Sequence, residues 1–194
     1  MYQKDWNYEL EILGQGGTIG TQQLRAWAAT ALVRRVFEHI TWMPSLLVEY
    51  SFASGDQHQG DGKVNTFDQL YPTNHGIYGI VDAMGRRNMK DLRGGIWLQP
   101  EHWLTLKTEA HDFWLASKYD GLYAASGALS GAPVAGGATS AHVGEELDLT
   151  GDVKVSRHYD IGAQYGHLYA GQFLTQSSPG SGRTFYAMFV DFRL

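Results

Sequence analysis

The sequence predicts an all-β fold, an antiparallel transmembrane β-barrel of about eight strands, and three observations predict it. Apolar and polar residues alternate with period two along most of the chain, whereas helical periodicity is scarce. Several alternating runs exceed the roughly five or six residues of an ordinary globular strand. They reach the roughly 9–11 residues that cross a bilayer at a tilt. The connections alternate short and long, as periplasmic turns and extracellular loops do.

Taken in order, "WNYELEIL" sets Trp6, Tyr8, Leu10 and Ile12 against Asn7, Glu9 and Glu11. "LRAWAATALVRRV" fits two phases. If Trp27, Ala29, Ala31 and Val33 face lipid, Arg25 and Arg35 share that face near its ends and must snorkel. The opposite phase, which turns Arg34 outward, fits nearly as well. "LLVEYSFAS" opposes Leu46, Val48, Tyr50 and Phe52 to Glu49 and Ser51, and "LRGGIWLQ" is the next strand. "WLTLKTEAH" opposes Leu104, Leu106, Thr108 and Ala110 to Thr105, Lys107, Glu109 and His111. "EELDLTGDVKVS" opposes Leu147, Leu149, Val153 and Val155 to Glu146, Asp148, Thr150, Asp152, Lys154 and Ser156. "DIGAQYGHLYA" follows, and "TFYAMFVDFRL" closes with Tyr186, Met188, Val190, Phe192 and Leu194 on one face.

Between them, Glu38–Thr41, Gln99–His102 and Ser156–Asp160 read as tight. Ser54–Asp91, the Ala-, Gly- and Ser-rich span Ser117–Gly144, and Leu174–Arg183 read as long, and Gly14–Gly20 as intermediate. A closed barrel leaves no unpaired backbone edge in lipid. Its apolar faces would meet lipid and its polar faces a wet interior. Trp6, Trp42, Trp97, Trp103, Trp114 and Tyr169 lie near strand ends, where an aromatic girdle belongs. The competing reading of the alternation is a soluble antiparallel sheet with one polar face.

Composition narrows the function. The chain has 194 residues and no Cys, which excludes a disulfide framework and a Cys-ligated metal. A net charge of −5 argues against a nucleic-acid partner. No apolar run approaches the roughly 18 residues of a spanning helix. "MYQKDWNYELEILGQ" has no signal-peptide pattern, so the expectation is either a cytoplasmic protein or a chain lacking part of its natural N-terminus.

Catalytic and metal patterns are weak. Asp68, His75 and Asp82 have no recognised metal spacing, and "SGDQHQGDGK" (Ser54–Lys63) lacks the ligand order of a calcium loop and reads as a surface loop. In "GQGGTIG" Ile19 stands where a dinucleotide fingerprint needs glycine, so this is a turn. "GRRNMK" (Gly85–Lys90) reads as a solvated basic face. A His75/Asp82 acid–base pair requires proximity that sequence does not give. We expect no enzymatic role, no cofactor and no metal.

The run Thr66–Gly95, "TFDQLYPTNHGIYGIVDAMGRRNMKDLRGG", resembles a signature segment of the alginate export family. The shared residues are Phe67, Asp68, Tyr71, Pro72, Asn74, His75, Gly79, Asp82, Asn88 and Asp91-Leu92-Arg93. Gly144, Glu146, Asp148, Gly166 and Gly171 in "VGEELDLTGDVKVSRHYDIGAQYGHLYAGQFL", and the closing strand, resemble it too. The resemblance runs from about Ser45 to the end and more weakly before it. It implies a porin-like barrel in the outer membrane of a Gram-negative cell, with outer-membrane lipid around it. It also implies a closing strand read by the barrel-assembly machinery and an anionic polysaccharide or small polar solute passing a basic lumen. Family barrels have about twice as many strands. Residues 1–194 are therefore expected to form one barrel domain, the C-terminal part of a 16–18-stranded barrel of the porin size class.

Eight strands closed on themselves would be filled by side chains. Passage would be passive, since no nucleotide-binding loop is present. The phases turn Arg93, Lys107, Lys154 and Arg193 inward, with Arg34 in one phase, among Glu9, Glu49, Glu109, Asp148 and Asp152. These bases line a substrate path or form salt bridges that hold register. Phe67–Asp82 is expected to be an extracellular loop that folds inward and constricts the lumen. Two other readings stay open: a small closed barrel with a structural or adhesive role, and a soluble lipocalin-like or sandwich module binding a ligand.

Overall fold

Period-two alternation becomes a meander. The computed structural model describes residues 5–72, 75–177 and 182–193. Its elements are β1 (Trp6–Ile19), β2 (Gln22–Val36), β3 (Ser45–Ala53), β4 (Lys63–Val64), β5 (Met89–Glu101), β6 (Leu104–Leu115), β7 (Leu122–Tyr123), β8 (Leu129–Gly131), β9 (His142–Lys154), β10 (Tyr159–Ala170), α1 (Gln172–Ser177) and β11 (Arg183–Phe192). One sheet runs β1-β2-β3-β5-β6-β9-β10-β11, with every neighbouring pair antiparallel and the short β4 parallel to β2. β7 and β8 form a separate hairpin. Among the described residues β1 pairs only with β2 and β11 only with β10, so the sheet is open.

The eight long strands have 9 to 15 residues, enough to cross a bilayer. Their outer face is apolar and exposed: Leu10, Val48, Ile96, Leu149, Ile161 and Met188 point away from the inner side. In β2 the first of the two phases is adopted, because Ala26 and Ala28 are buried while Trp27 is exposed. Arg34 therefore faces inward. Arg35 shares the outer face and lies over the rings of Trp6 (5.0 Å) and Phe37 (4.5 Å), at the short-turn end where snorkelling is possible. Tyr186, Met188, Val190 and Phe192 are exposed together, and Leu194 lies outside the described residues.

Two connections and one tryptophan differ from expectation. Gly14–Gly20 is not an intermediate loop: β1 and β2 stay paired up to Ile19↔Gln22, and only Gly20 and Thr21 turn the chain. Glycines lack the side chains that would reveal alternation, which hid the strand. The Glu38–Thr41 connection extends over residues 37–44, closed by Phe37 N–H to Pro44 O (2.9 Å). Trp97 is not in a girdle. The exposed Leu92, Gly94 and Ile96 define the outer face of β5, so Trp97 faces inward. The remaining loop-length sorting holds, with residues 54–88, 116–141 and 171–182 at one end and residues 102–103 and 155–158 at the other.

The core lies on the inner side at the long-connection end. Phe67, Tyr78, Ala83 and Met84 of the 54–88 connection pack with Met89, Phe113, Val143 and Leu168 of the wall. Leu122, Ala138 and Phe173 from the other connections complete it.

Candidate functional site: a loop laid on a polar inner wall

The inner wall is built by alternation. Glu49 on β3, Asp91 and Arg93 on β5, His111 on β6, and Glu146 and Asp148 on β9 all point inward and are buried. Glu49 and Arg93 are direct cross-strand partners, and the Arg93 guanidinium donates to Glu49 at 2.6 Å and lies 3.9 Å from Glu109. His111 Nδ1 is 2.9 Å from Asp91, and its Nε2 is 3.9 Å from Asp148.

The 54–88 connection covers this wall. Ile80 N–H donates to Asp148 (3.1 Å) and Val81 N–H to Glu146 (2.8 Å), so two wall carboxylates hold the loop by its backbone. Two glycines permit the approach. A Cβ on Gly79 would lie 2.3 Å from Glu146 Oε1, and one on Gly166 would lie 2.6 Å from Ile80 Cγ1. The "GRRNMK" run is not a solvated face. Arg86 bonds Glu11 of β1 (2.5 Å) and Thr30 of β2 (2.9 Å), whereas Arg87 bonds Asp68 (3.1 Å) and lies over Tyr123 (4.4 Å). Met89 is fully buried.

Of the motif-loop residues, Phe67 is core, and Asp68 exchanges backbone bonds with the Gln15 side chain of β1 (2.6 and 2.8 Å). Tyr71 and Pro72 are exposed, and Asn74 lies outside the described residues. His75 and Asp82 do meet, at 3.0 Å, as an exposed pair with His75 edge-on to Phe185. Asn88 is fully buried at φ 47, a conformation Asn tolerates better than most residues. Its amide bonds Ser117 N and O and Gly121 O, tying the 54–88 and 116–141 connections together.

Asp120, which sequence reasoning missed, is a second tie. Its carboxylate accepts from Asp56 N (2.8 Å), Thr66 Oγ1, Gly121 N (2.7 Å) and Tyr123 OH (3.0 Å). Asp56, read as part of a surface loop, is buried here. Burial first, and the Asp120 charge second, push the Tyr123 phenol from 10.0 up to about 12. The native state thus keeps a proton that the unfolded chain releases. The stabilisation is full below pH 10 and is lost between pH 10 and about 12. The long connections are expected to become protease-sensitive over that window, and Tyr123→Phe to remove this component of the pH profile.

The inward bases differ in their surroundings. Arg93 lies beneath the loop, and Lys107 pairs with Asp152 at 3.3 Å. Arg193 pairs with Asp160 near the short-turn end. Arg34 and Lys154 have no carboxylate partner among the described residues. Arg34 is nonetheless fixed, with Nε on Ser45 Oγ (2.7 Å) and its plane 4.1 Å from the Trp97 ring centre.

An apolar outer face, a polar inner face and a loop laid on the inner face make this a β-barrel wall. The family model described as alginate export matches residues 1–187, so the match includes the first strands. The chain belongs to the alginate export family. No curated protein matches it. Membership supports a role in polysaccharide export by an outer-membrane protein.

Proposed function

We propose that the chain forms part of the wall of an outer-membrane channel that passes an anionic polysaccharide, or another small polar solute, passively, with the 54–88 connection as its constriction. The carrying observation is the backbone docking of Ile80 and Val81 on Asp148 and Glu146 inside the wall. A loop there narrows any passage along the inner face. Two free sheet edges and an inner side already occupied by a loop favour a barrel wider than eight strands. Arg34 supplies the anion contact. Its Nε and its plane are engaged, leaving the terminal nitrogens to meet a carboxylate without further ordering. A polyanion must be attracted yet released, which suits few free cations better than many.

Planar-bilayer conductance tests this. Wild-type channels are expected to be small and to be blocked by added polyuronate. In Gly166→Leu the new side chain displaces Ile80, and single-channel conductance should rise severalfold. Unchanged conductance rejects the constriction, and a polymer that never blocks rejects the polyanion.

A further inference from the structure

Asp112, His142 and Glu145 were singled out by no sequence motif, yet the sheet brings them together at its long-connection end. One ligand atom from each lies within 4.8 Å of the others, and His142 Nε2 is 3.0 Å from Asp112 Oδ1. We propose that these three side chains bind a divalent first-row cation such as Zn2+ on the membrane-facing side of the wall.

Register supplies the first argument. Asp112 and Glu145 are direct partners across β6 and β9, and like charges placed opposite one another destabilise a strand pair. Surroundings supply the second. In the same row Leu92 opposes Asp112 and Tyr169 opposes Glu145, so the two carboxylates interrupt an apolar outer face. His142 lies 5.8 Å from the Trp114 ring, and its Nδ1 leaves no room for a side chain at Gly171, so the imidazole is oriented before a metal arrives. Two carboxylates and one imidazole are ligand types that zinc accepts, and three of them leave a fourth position open. Ligand atoms of tetrahedral zinc lie ~3.4 Å apart for bonds of about 2.1 Å. The exposed Glu145 side chain can swing in to close that difference. A depression of about 450 Å3 on the outer face, lined by Gly94 and Ala110 among others, reaches Asp112 and Glu145 and leaves space beside their carboxylates.

The test is calorimetric titration of Zn2+ into chelator-treated protein in detergent, with Ca2+ as the contrast. One saturable Zn2+ site is expected, weakened at least tenfold in Asp112→Asn and in His142→Gln, with little heat from Ca2+. Far-UV circular dichroism of each variant confirms the barrel. Should a variant not fold, Zn2+ protection of His142 from diethyl pyrocarbonate in the wild type reads the same site. Absent saturable binding, affinity unchanged in both variants, or an unprotected His142 each overturns the proposal.

Discussion

Arg93→Ala is expected to destabilise the protein by about 3–5 kcal/mol, the cost of leaving one partner of a buried ion pair alone. The Arg93 guanidinium serves Glu49 at 2.6 Å, approaches Glu109 and donates to the Ile77 carbonyl of the covering loop at 3.4 Å. Without it Glu49, 4% exposed, keeps, among the described residues, only the Ser51 hydroxyl at 3.1 Å. The loss is read as a lowered urea midpoint with an unchanged slope. Adding Glu49→Gln to Arg93→Ala should restore a good part of the loss, because the stranded charge goes with it. A double variant as unstable as the single one would contradict this account. The same placement puts Arg93 beneath the covering loop and away from the open inner side.

Strand phases were legible because each strand has one face in oil and one in a polar interior, and that contrast is local. Tyr8, Leu10 and Ile12 declare their side by spacing alone. Alternation fails where a residue has no side chain to classify, as at Gly14, Gly16 and Gly17, or where both faces carry apolar residues, as in β2. The motif loop was recognisable as unusual, but its docking was not. Ile80 and Asp148 are separated by 68 positions, and Asp56 and Asp120 by 64. No local pattern records which inward carboxylate meets which loop amide. The glycines that permit the contact, Gly79 and Gly166, look in sequence like any turn or strand glycine. Trp97 misled because an aromatic near a strand end fits a girdle equally well. Only its phase relative to Ile96 puts it inside with Arg34 and Lys107.

The two long connections fold as one unit only if something joins them, and Asn88 is the joint with most to lose. Its side chain has no solvent exposure, and it donates to Ser117 O (3.0 Å) and Gly121 O (2.9 Å) while accepting from Ser117 N (2.7 Å). Asn88→Ala removes all three and leaves Ser117 N–H and Gly121 O without these partners inside the protein, while Ser117 O keeps Asp120 N–H at 3.4 Å. At roughly 1–3 kcal/mol for each group so stranded, the expected loss is roughly 3–5 kcal/mol after partial access of water. The loss should be confined to the connections, because β5 keeps its ladder to β3 and β6 regardless. Asn88→Asp keeps the acceptor for Ser117 N–H and loses both donations. Its second oxygen would face the Ser117 and Gly121 carbonyls in a site with no solvent exposure, so Asn88→Asp should be no milder than Asn88→Ala. Hydrogen exchange measures this directly. Amides of residues 116–141 should lose protection in Asn88→Ala while those of β9 and β10 keep theirs. Equal loss in the strands would mean that the connections and the wall unfold as a single unit, and that the loop over the inner wall is not a separately movable part.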